Sequence, residues 1–412
     1  MNRPPPLMSL DEALNALLEA AQPVPETEWL ATLDCAGRVL AGPLTSSIDV
    51  PPTDNSERDG WALRLADWDE GLAVGPNFPI SQRIPAGQTA QPLAPQTVAR
   101  IFTGAGLPAG ADAVIMQEDA QVSDAGVAFT VRPAAGQWIR RAGEDIRAGS
   151  VILPAGTRLS PQAAGLAASV GAAALQVHRR LRVACFFTGD ELVSPGQALP
   201  PGAIYESNRF VLVNLLRSLG CEVEDLGLIP DSLDATRKAL RQAASRADLI
   251  VSSGGMSVGE EDHVKPAVQA EGSLALWQVA MKPGKPLAFG SVRRPDDAGS
   301  AHFIGLPGNP VSSFVTFLIA VRPMILRLQG VVEVAPRVLV LEAHFDWPRP
   351  DRRREFLRAS LDGEGGLVLF PNQGPGVLTS TVLSDGLIDC PAGQAIARGD
   401  RVRFLPFDAL LH

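Results

Sequence analysis

Apolar positions fall into successive patterns along the chain, and each pattern predicts a different kind of structure. Leu10, Ala13, Leu14, Leu17 and Leu18 recur at helical spacing over residues 9–21, with Ser9 in front and Glu12 three residues on. That combination predicts a capped amphipathic helix. From about 45 to 150 the apolar runs are short and alternating, as in Val98–Phe102, Ala113–Met116 and Val127–Val131, with Gly, Pro and Asp between them. These predict a β-rich region without a long helix. Residues 158–175 are rich in Ala and Gly behind Ser160-Pro161, a cap followed by proline at the first helical position, and predict a closely packed helix.

From 181 the pattern changes again. Leu181–Phe187, Val223–Ile229, Asp248–Val251 and Ala301–Leu306 read as strands. Arg209–Leu219, Asp234–Ala247 and the apolar stretch from Pro310 to Leu328 read as helices. Strands alternating with helices predict crossover units and a largely parallel sheet, with a ligand beyond the carboxyl ends of its strands. After Gly330 the alternation stops. Val338–Ala343, Glu355–Leu361, Leu367–Phe370, Leu387–Cys390 and Val402–Leu405 are short strands between turns. They predict a small β-barrel or sandwich of about 80 residues.

Composition narrows the function classes. The 412 residues allow two to four domains, at roughly 100–200 residues each. With 36 basic and 45 acidic side chains the net charge is −9, which argues against a nucleic-acid or anionic-membrane partner. Cys35, Cys185, Cys221 and Cys390 form no C-x-x-C pair, so neither a zinc motif nor a disulfide framework is expected, and a reducing cytosol is. Pro4-Pro5-Pro6 stands where a signal peptide needs its apolar core. The run Phe314–Leu328 is interrupted by Arg322 and Pro323 and falls short of the ~20 residues that span a bilayer. The expectation is a soluble cytoplasmic protein.

Candidate chemistry collects after the α/β strands. The first runs into Thr188-Gly189-Asp190-Glu191, the second into Pro230-Asp231, and the third into Ser252–Asp262. The last gives Gly305-Leu-Pro-Gly-Asn-Pro310. Ser252–Gly259 combines three glycines with three serines and suits an oxyanion, although it is neither a Walker A loop nor a dinucleotide fingerprint. Asn309-Pro310 caps a helix, and the N–H groups of Val311–Ser313 would then face the crevice as an anion site. In Lys282-Pro-Gly-Lys-Pro286, each proline favours polyproline geometry for the lysine before it, which would put Lys282 and Lys285 on one face. Carboxylates facing a phosphate need a bridging hard cation, so Asp190, Glu191, Asp231 and Asp262 are candidate Mg²⁺ ligands. Asp231 equally suits a helix cap. Outside this region, Val50–Trp61 and Arg140–Asp145 are dense in charge, for which surface ion pairs are the plain alternative.

Six stretches then carry a resemblance. Asp54-Asn-Ser-Glu-Arg-Asp-Gly60, Arg140–Asp145, Thr188-Gly-Asp-Glu-Leu192, Ser252–Gly259, Lys282–Pro286 and Gly305–Ser312 resemble, in order, the motifs of the molybdopterin molybdenumtransferases, that is, the bacterial MoeA proteins and the gephyrin E-domain. The resemblance implies a multidomain α/β fold. Its parts are a dimerisation segment at 1–45 plus 146–178, an inserted β-rich domain at 46–145, a three-layer α/β molybdopterin-binding domain at 179–330 and a β-barrel at 331–412. It implies a homodimer whose active site is shared between subunits. The implied reaction is Mg²⁺-dependent joining of molybdate to adenylylated molybdopterin, giving molybdenum cofactor and AMP, and a molybdopterin adenylyltransferase is a conceivable partner. The resemblance makes Asp231, Asp262, Asp59, Asp145, Lys282 and Lys285 catalytic, with Asp59 and Asp145 coming from the other subunit. It assigns substrate binding to Glu191, to Ser252, Ser253, Gly254, Gly255 and Ser257, to Pro286, to Pro307, Gly308, Asn309 and Pro310, and to Arg353 and Ser380. Gln278 stands where relatives often carry a cation, with Arg352–Arg354 as a compensating basic stretch. The competing expectations are an adenylyltransferase and a non-catalytic scaffold.

Overall fold

The computed structural model describes residues 7–71, 77–255, 263–295 and 298–411. Its centre is a six-stranded sheet. The strands are β1 (Arg182–Phe187), β2 (Glu222–Leu228), β3 (Leu249–Ser253), β4 (Gly272–Gln278), β5 (Pro286–Arg293) and β6 (Ser300–Leu306). Their spatial order is β2-β1-β3-β6-β5-β4. The first four are mutually parallel; β5 runs antiparallel to β6, and β4 antiparallel to β5, so only β5 points the opposite way. The chain leaves β1 in one direction to β2 and returns to β3 on the other side, so β1 and β3 flank a topological switch point. Helices α1 (Asn208–Ser218), α2 (Leu233–Ala244), α3 (Val264–Glu271) and α4 (Pro310–Thr316) accompany the sheet. The α3 helix and the β4–β5 hairpin lie in a stretch where the sequence suggested no element, and the hairpin adds two antiparallel pairings to the largely parallel sheet.

Helical structure continues past α4 through a π-helical turn, Phe317–Val321, into a further segment, Arg322–Leu328. Pro323 follows this π-helical turn inside the continuous helical stretch, where it cannot donate an intrahelical bond. This stretch is long and apolar enough to cross a membrane, but 94% of its most apolar window is buried inside the protein. It packs in the largest core together with Leu10, Ala13 and Leu17 of the N-terminal helix Leu10–Ala20. That helix carries the expected cap: Ser9 Oγ accepts from the Glu12 N–H, and the Glu12 carboxylate accepts from Ser9. Its apolar stripe therefore belongs to the α/β core, as do Ala21 and Val24 just after it, before the chain moves on to pair elsewhere.

That following segment pairs with residues far along the chain. Thr27–Ala31 runs antiparallel to Ala174–His178, and Leu44–Thr45 pairs with Val151–Leu153. The residues between them build a four-stranded sheet from Ile80–Ile84, Val98–Ile101, Gly60–Leu63 and Ala113–Met116. Beyond 330, Leu339–Glu342, Arg354–Leu361, Leu367–Leu369, Gly386–Cys390 and Arg401–Pro406 form one sheet. A parallel bridge from Ala343 to Leu367 brings the end of its outermost strand back to Leu367–Leu369. The other edge of this sheet is extended by Met281–Lys282, which comes from the α/β unit and pairs parallel with Arg354–Glu355. One short strand thus ties the two units together beside the carboxyl ends of β1, β2, β3 and β6.

Candidate active site

A cavity of about 510 Å³ opens at this junction. Its floor is made by the loops that follow the parallel strands: Thr188, Gly189 and Glu191 after β1, Asp231 after β2, Gly254 and Gly255 after β3, and Pro307–Asn309 after β6. The opposite wall is Lys282–Pro286, completed by Arg353, Gln373 and Pro375 of the C-terminal unit. Asp231, Lys282 and Lys285 therefore share one hollow. A second hollow of about 370 Å³ adjoins it across Gly254 and Gly308, and Ser253, Tyr205 and Pro310 line it. Ser257 and Asp262 lie outside the described residues.

Close backbone approach shapes the floor. Gly254 has φ +97°, and a Cβ there would run into the Thr188 carbonyl oxygen. Only glycine meets both demands. Ser253 Oγ donates to the Pro307 carbonyl at 2.9 Å and accepts from Asn208 Nδ2 at 2.9 Å; the same amide donates to the Gly308 carbonyl at 2.8 Å. Asn208 thus pins the loops after β3 and β6 to one another. Nothing local in the sequence singles Asn208 out, because a residue at a helix start looks the same whether it caps or makes a long-range tie.

The charges on the cavity are unequally held. Lys282 Nζ lies 3.0 Å from Glu355 Oε1 and 3.5 Å from Asp351 Oδ2. Arg353 binds Asp351 through Nε at 3.0 Å and Nη2 at 2.9 Å. The guanidinium holds the Asp351 carboxyl well below the usual carboxylate range. Lys285 is exposed and has no ion pair among the described residues. Asp231 brings the opposite charge: its Oδ1 is buried without a hydrogen-bond partner among the described residues.

Several expectations need correction. Lys282 and Lys285 reach the same cavity without a polyproline turn, because Lys282 belongs to a strand and Gly284 takes φ +103°. The N–H groups of Val311 and Ser313 are not open to an anion: Val311 donates to the Pro375 carbonyl at 3.1 Å and Ser313 to Asn309 at 2.9 Å. Ser380 is fully buried away from the cavity, where its hydroxyl accepts from Arg358 Nε at 3.1 Å and donates to the Val377 carbonyl. Ser252 is likewise fully buried and does not line the cavity, and Asp190 is exposed on the neighbouring loop. Gln278 does not line it either. Of the three arginines, Arg353 does, while Arg354 is turned to Asp389 at 2.6 and 2.7 Å.

Asp59 and Asp145 stand apart from this chain's cavity, but their two motifs meet. Asn55–Ser56 pairs with Ile139–Arg140, and Asp54 accepts from Arg141 Nη1 at 2.6 Å and from the Ala142 N–H at 2.8 Å. Asp59 accepts from the Thr103 N–H and hydroxyl, both at 2.8 Å, which holds its carboxyl below the usual range. Asp145 is exposed.

Comparison with known proteins now identifies the architecture. Residues 8–171 match the model of the MoeA N-terminal region (domain I and II), 184–327 that of a probable molybdopterin binding domain, and 340–407 that of the MoeA C-terminal region (domain IV). A molybdopterin molybdenumtransferase of Haemophilus influenzae is 43% identical over 79% of this chain and 78% of its own. The chain belongs to the molybdopterin molybdenumtransferase family. It is an enzyme of molybdenum-cofactor biosynthesis, with an α/β multidomain fold. Its relative from Nostoc sp. is 35% identical over 90% of this chain and 86% of that one. A solved molybdopterin biosynthesis MoeA protein from Pyrococcus horikoshii superimposes with TM-score 0.83 at 26% identity, covering 97% of this chain and 100% of the other.

In this family member Gly284 is a point of sensitivity. A Cβ there would strike the Thr316 hydroxyl and lie 3.2 Å from the Ser312 carbonyl oxygen, in a backbone conformation that L residues rarely adopt. Gly284→Ala is expected to cost about 1–3 kcal/mol of stability. Chemical denaturation checks this; an unchanged unfolding midpoint contradicts it.

Proposed function

We propose that the 510 Å³ cavity binds molybdate and adenylylated molybdopterin, joins the metal oxyanion to the dithiolene and releases AMP. The observation that carries the reading is the buried, unpartnered Oδ1 of Asp231 on the same cavity as Lys282, Lys285 and Arg353. A buried carboxylate oxygen without a donor calls for a cation, and Mg²⁺ takes one or two carboxylates together with phosphate oxygens. The residues present fit it: Asp231 and Glu191 would hold the ion, with Asp262 as the third expected ligand. When bound, Mg²⁺ offsets charge on the pyrophosphate and makes AMP a better leaving group.

The chain's own residues do the rest. Lys282, Lys285 and Arg353 attract and orient the two anionic reactants, which repel one another in water. Gly254 and Gly255 let the substrate approach the backbone, and the Asn208–Ser253 tie keeps the two adjoining hollows in register. Catalysis on this reading is positioning plus electrostatics, without a covalent intermediate.

The working unit is a homodimer. Asp59 and Asp145 of one subunit face the α/β cavity of the other, residues 1–45 plus 146–178 provide the dimerisation segment, and the C-terminal sheet is a barrel. Purified protein incubated with adenylylated molybdopterin, Mg²⁺ and molybdate should release AMP, and removal of Mg²⁺ should stop it. Pyrophosphate release from ATP and molybdopterin, with no AMP from the adenylylated substrate, would replace this reading with an adenylyltransferase.

A further inference from the structure

The two lysines of the cavity wall differ in how they are held, and the difference comes from one buried carboxylate. Lys282 and Glu355 are register partners where Met281–Lys282 joins the C-terminal sheet. Side chains paired in this way lie on one face of a sheet. Glu355 is 1% exposed. Its Oε2 accepts from Trp347 Nε1 at 3.0 Å and from the Asp351 N–H at 2.9 Å. Its Oε1 makes no hydrogen bond that satisfies normal geometry, yet lies 3.0 Å from the Lys282 ammonium. A carboxylate this deeply buried keeps its charge only beside a counter-charge. Asp351, itself clasped by Arg353, lies 3.5 Å from the same ammonium.

We infer that Glu355 is a positioning residue for the oxyanion subsite: it fixes the Lys282 ammonium at the cavity wall before substrate arrives, whereas Lys285 remains mobile and orders only on binding. This rests on the reading of the cavity as an oxyanion site. Its physical content is preorganisation. A long lysine side chain gives up rotamer freedom when it grips an anion, and a fixed one has already done so. Because Glu355 belongs to the C-terminal unit and Lys282 to the α/β unit, the same pair makes the subsite depend on how the two units are joined.

Glu355→Gln tests the inference with little change of shape, since the amide oxygen can still accept from Trp347 and the Asp351 N–H. The Michaelis constant for molybdate should rise about tenfold, the effect of losing one charge-assisted hydrogen bond, with a smaller effect on kcat. A readout independent of turnover is competitive acetylation with limiting acetic anhydride, followed by peptide mass spectrometry. In the wild-type protein Lys282 should react several-fold more slowly than Lys285, and in Glu355→Gln the two rates should converge. Glu355→Asp, which keeps the charge, should retain part of the difference.

A ratio of rates unaltered by Glu355→Gln overturns the inference, as does an unaltered molybdate constant in an active enzyme. A protein that releases no AMP at all refutes the proposed function instead, and the acetylation ratio still decides whether Glu355 holds Lys282. If Glu355→Gln fails to fold, Lys282→Met alone should melt below the double variant Lys282→Met/Glu355→Gln, because the single change strands a buried charge; the opposite order overturns the inference.

Discussion

Asp231→Asn should give a protein that melts no lower than the wild type and turns over at least roughly a hundredfold more slowly. The two expectations have one origin. Asp231 lines the cavity, and its Oδ1 is buried with no donor among the described residues. In the unliganded protein that oxygen carries the desolvation cost of a charge and receives no hydrogen bond in return. Asparagine has almost the same shape and no charge, so the folded state loses nothing at that atom. The liganded protein loses the charge that would anchor Mg²⁺ against the pyrophosphate. Stability is thus traded for function at one atom, as happens where binding groups are kept ready but unpaired. Thermal melting and an AMP assay on the same preparation check both halves. AMP release at the wild-type rate removes Asp231 from the mechanism, and a large drop in melting temperature would mean that the carboxylate has a structural partner.

Much of this arrangement is legible in the sequence, for identifiable reasons. The N-terminal helix announces itself through Ser9, Glu12 and a regular apolar stripe, all local signals. The loops after β1, β2, β3 and β6 meet because a parallel sheet puts the carboxyl ends of its strands on one edge, so strand assignment alone brings Glu191, Asp231, Gly254 and Asn309 together. What escaped is what depends on distant partners. The β4–β5 hairpin lacks a clean polar alternation, because β5 is covered on both sides and carries Leu287, Ala288 and Val292 into two different cores. The geometry at Lys282 is set by pairing with Glu355, more than seventy residues on, and polyproline preference yields to that pairing. The N–H of Val311 is taken by a carbonyl from the C-terminal unit, and Ser380 is held by a buried arginine in its own unit. A motif shows which residues recur near chemistry; it does not say which of them touch the substrate and which hold those that do.

The pairing of the two inserted motifs makes a further demand on the assembly. Strand pairing at Asn55–Arg140 and the Asp54–Arg141 ion pair join the two segments that carry Asp59 and Asp145, yet neither residue lines the cavity of its own chain. If the working site borrows those segments from a second copy, Asp59→Asn and Asp231→Asn damage opposite halves of each site. Each variant alone should be nearly inactive as a homodimer. Asp59→Asn should also stay folded, because the asparagine oxygen can still accept from Thr103. After subunit exchange of a one-to-one mixture, half of the dimers are mixed. In a mixed dimer one site unites both altered residues and the other is wholly intact, so activity should recover to about a quarter of the wild-type level. Differently tagged subunits report the extent of exchange by mass. Mixed dimers that form in full and remain as inactive as their parents would show that Asp59 and Asp231 serve the same site from within one chain, or that Asp59 serves none.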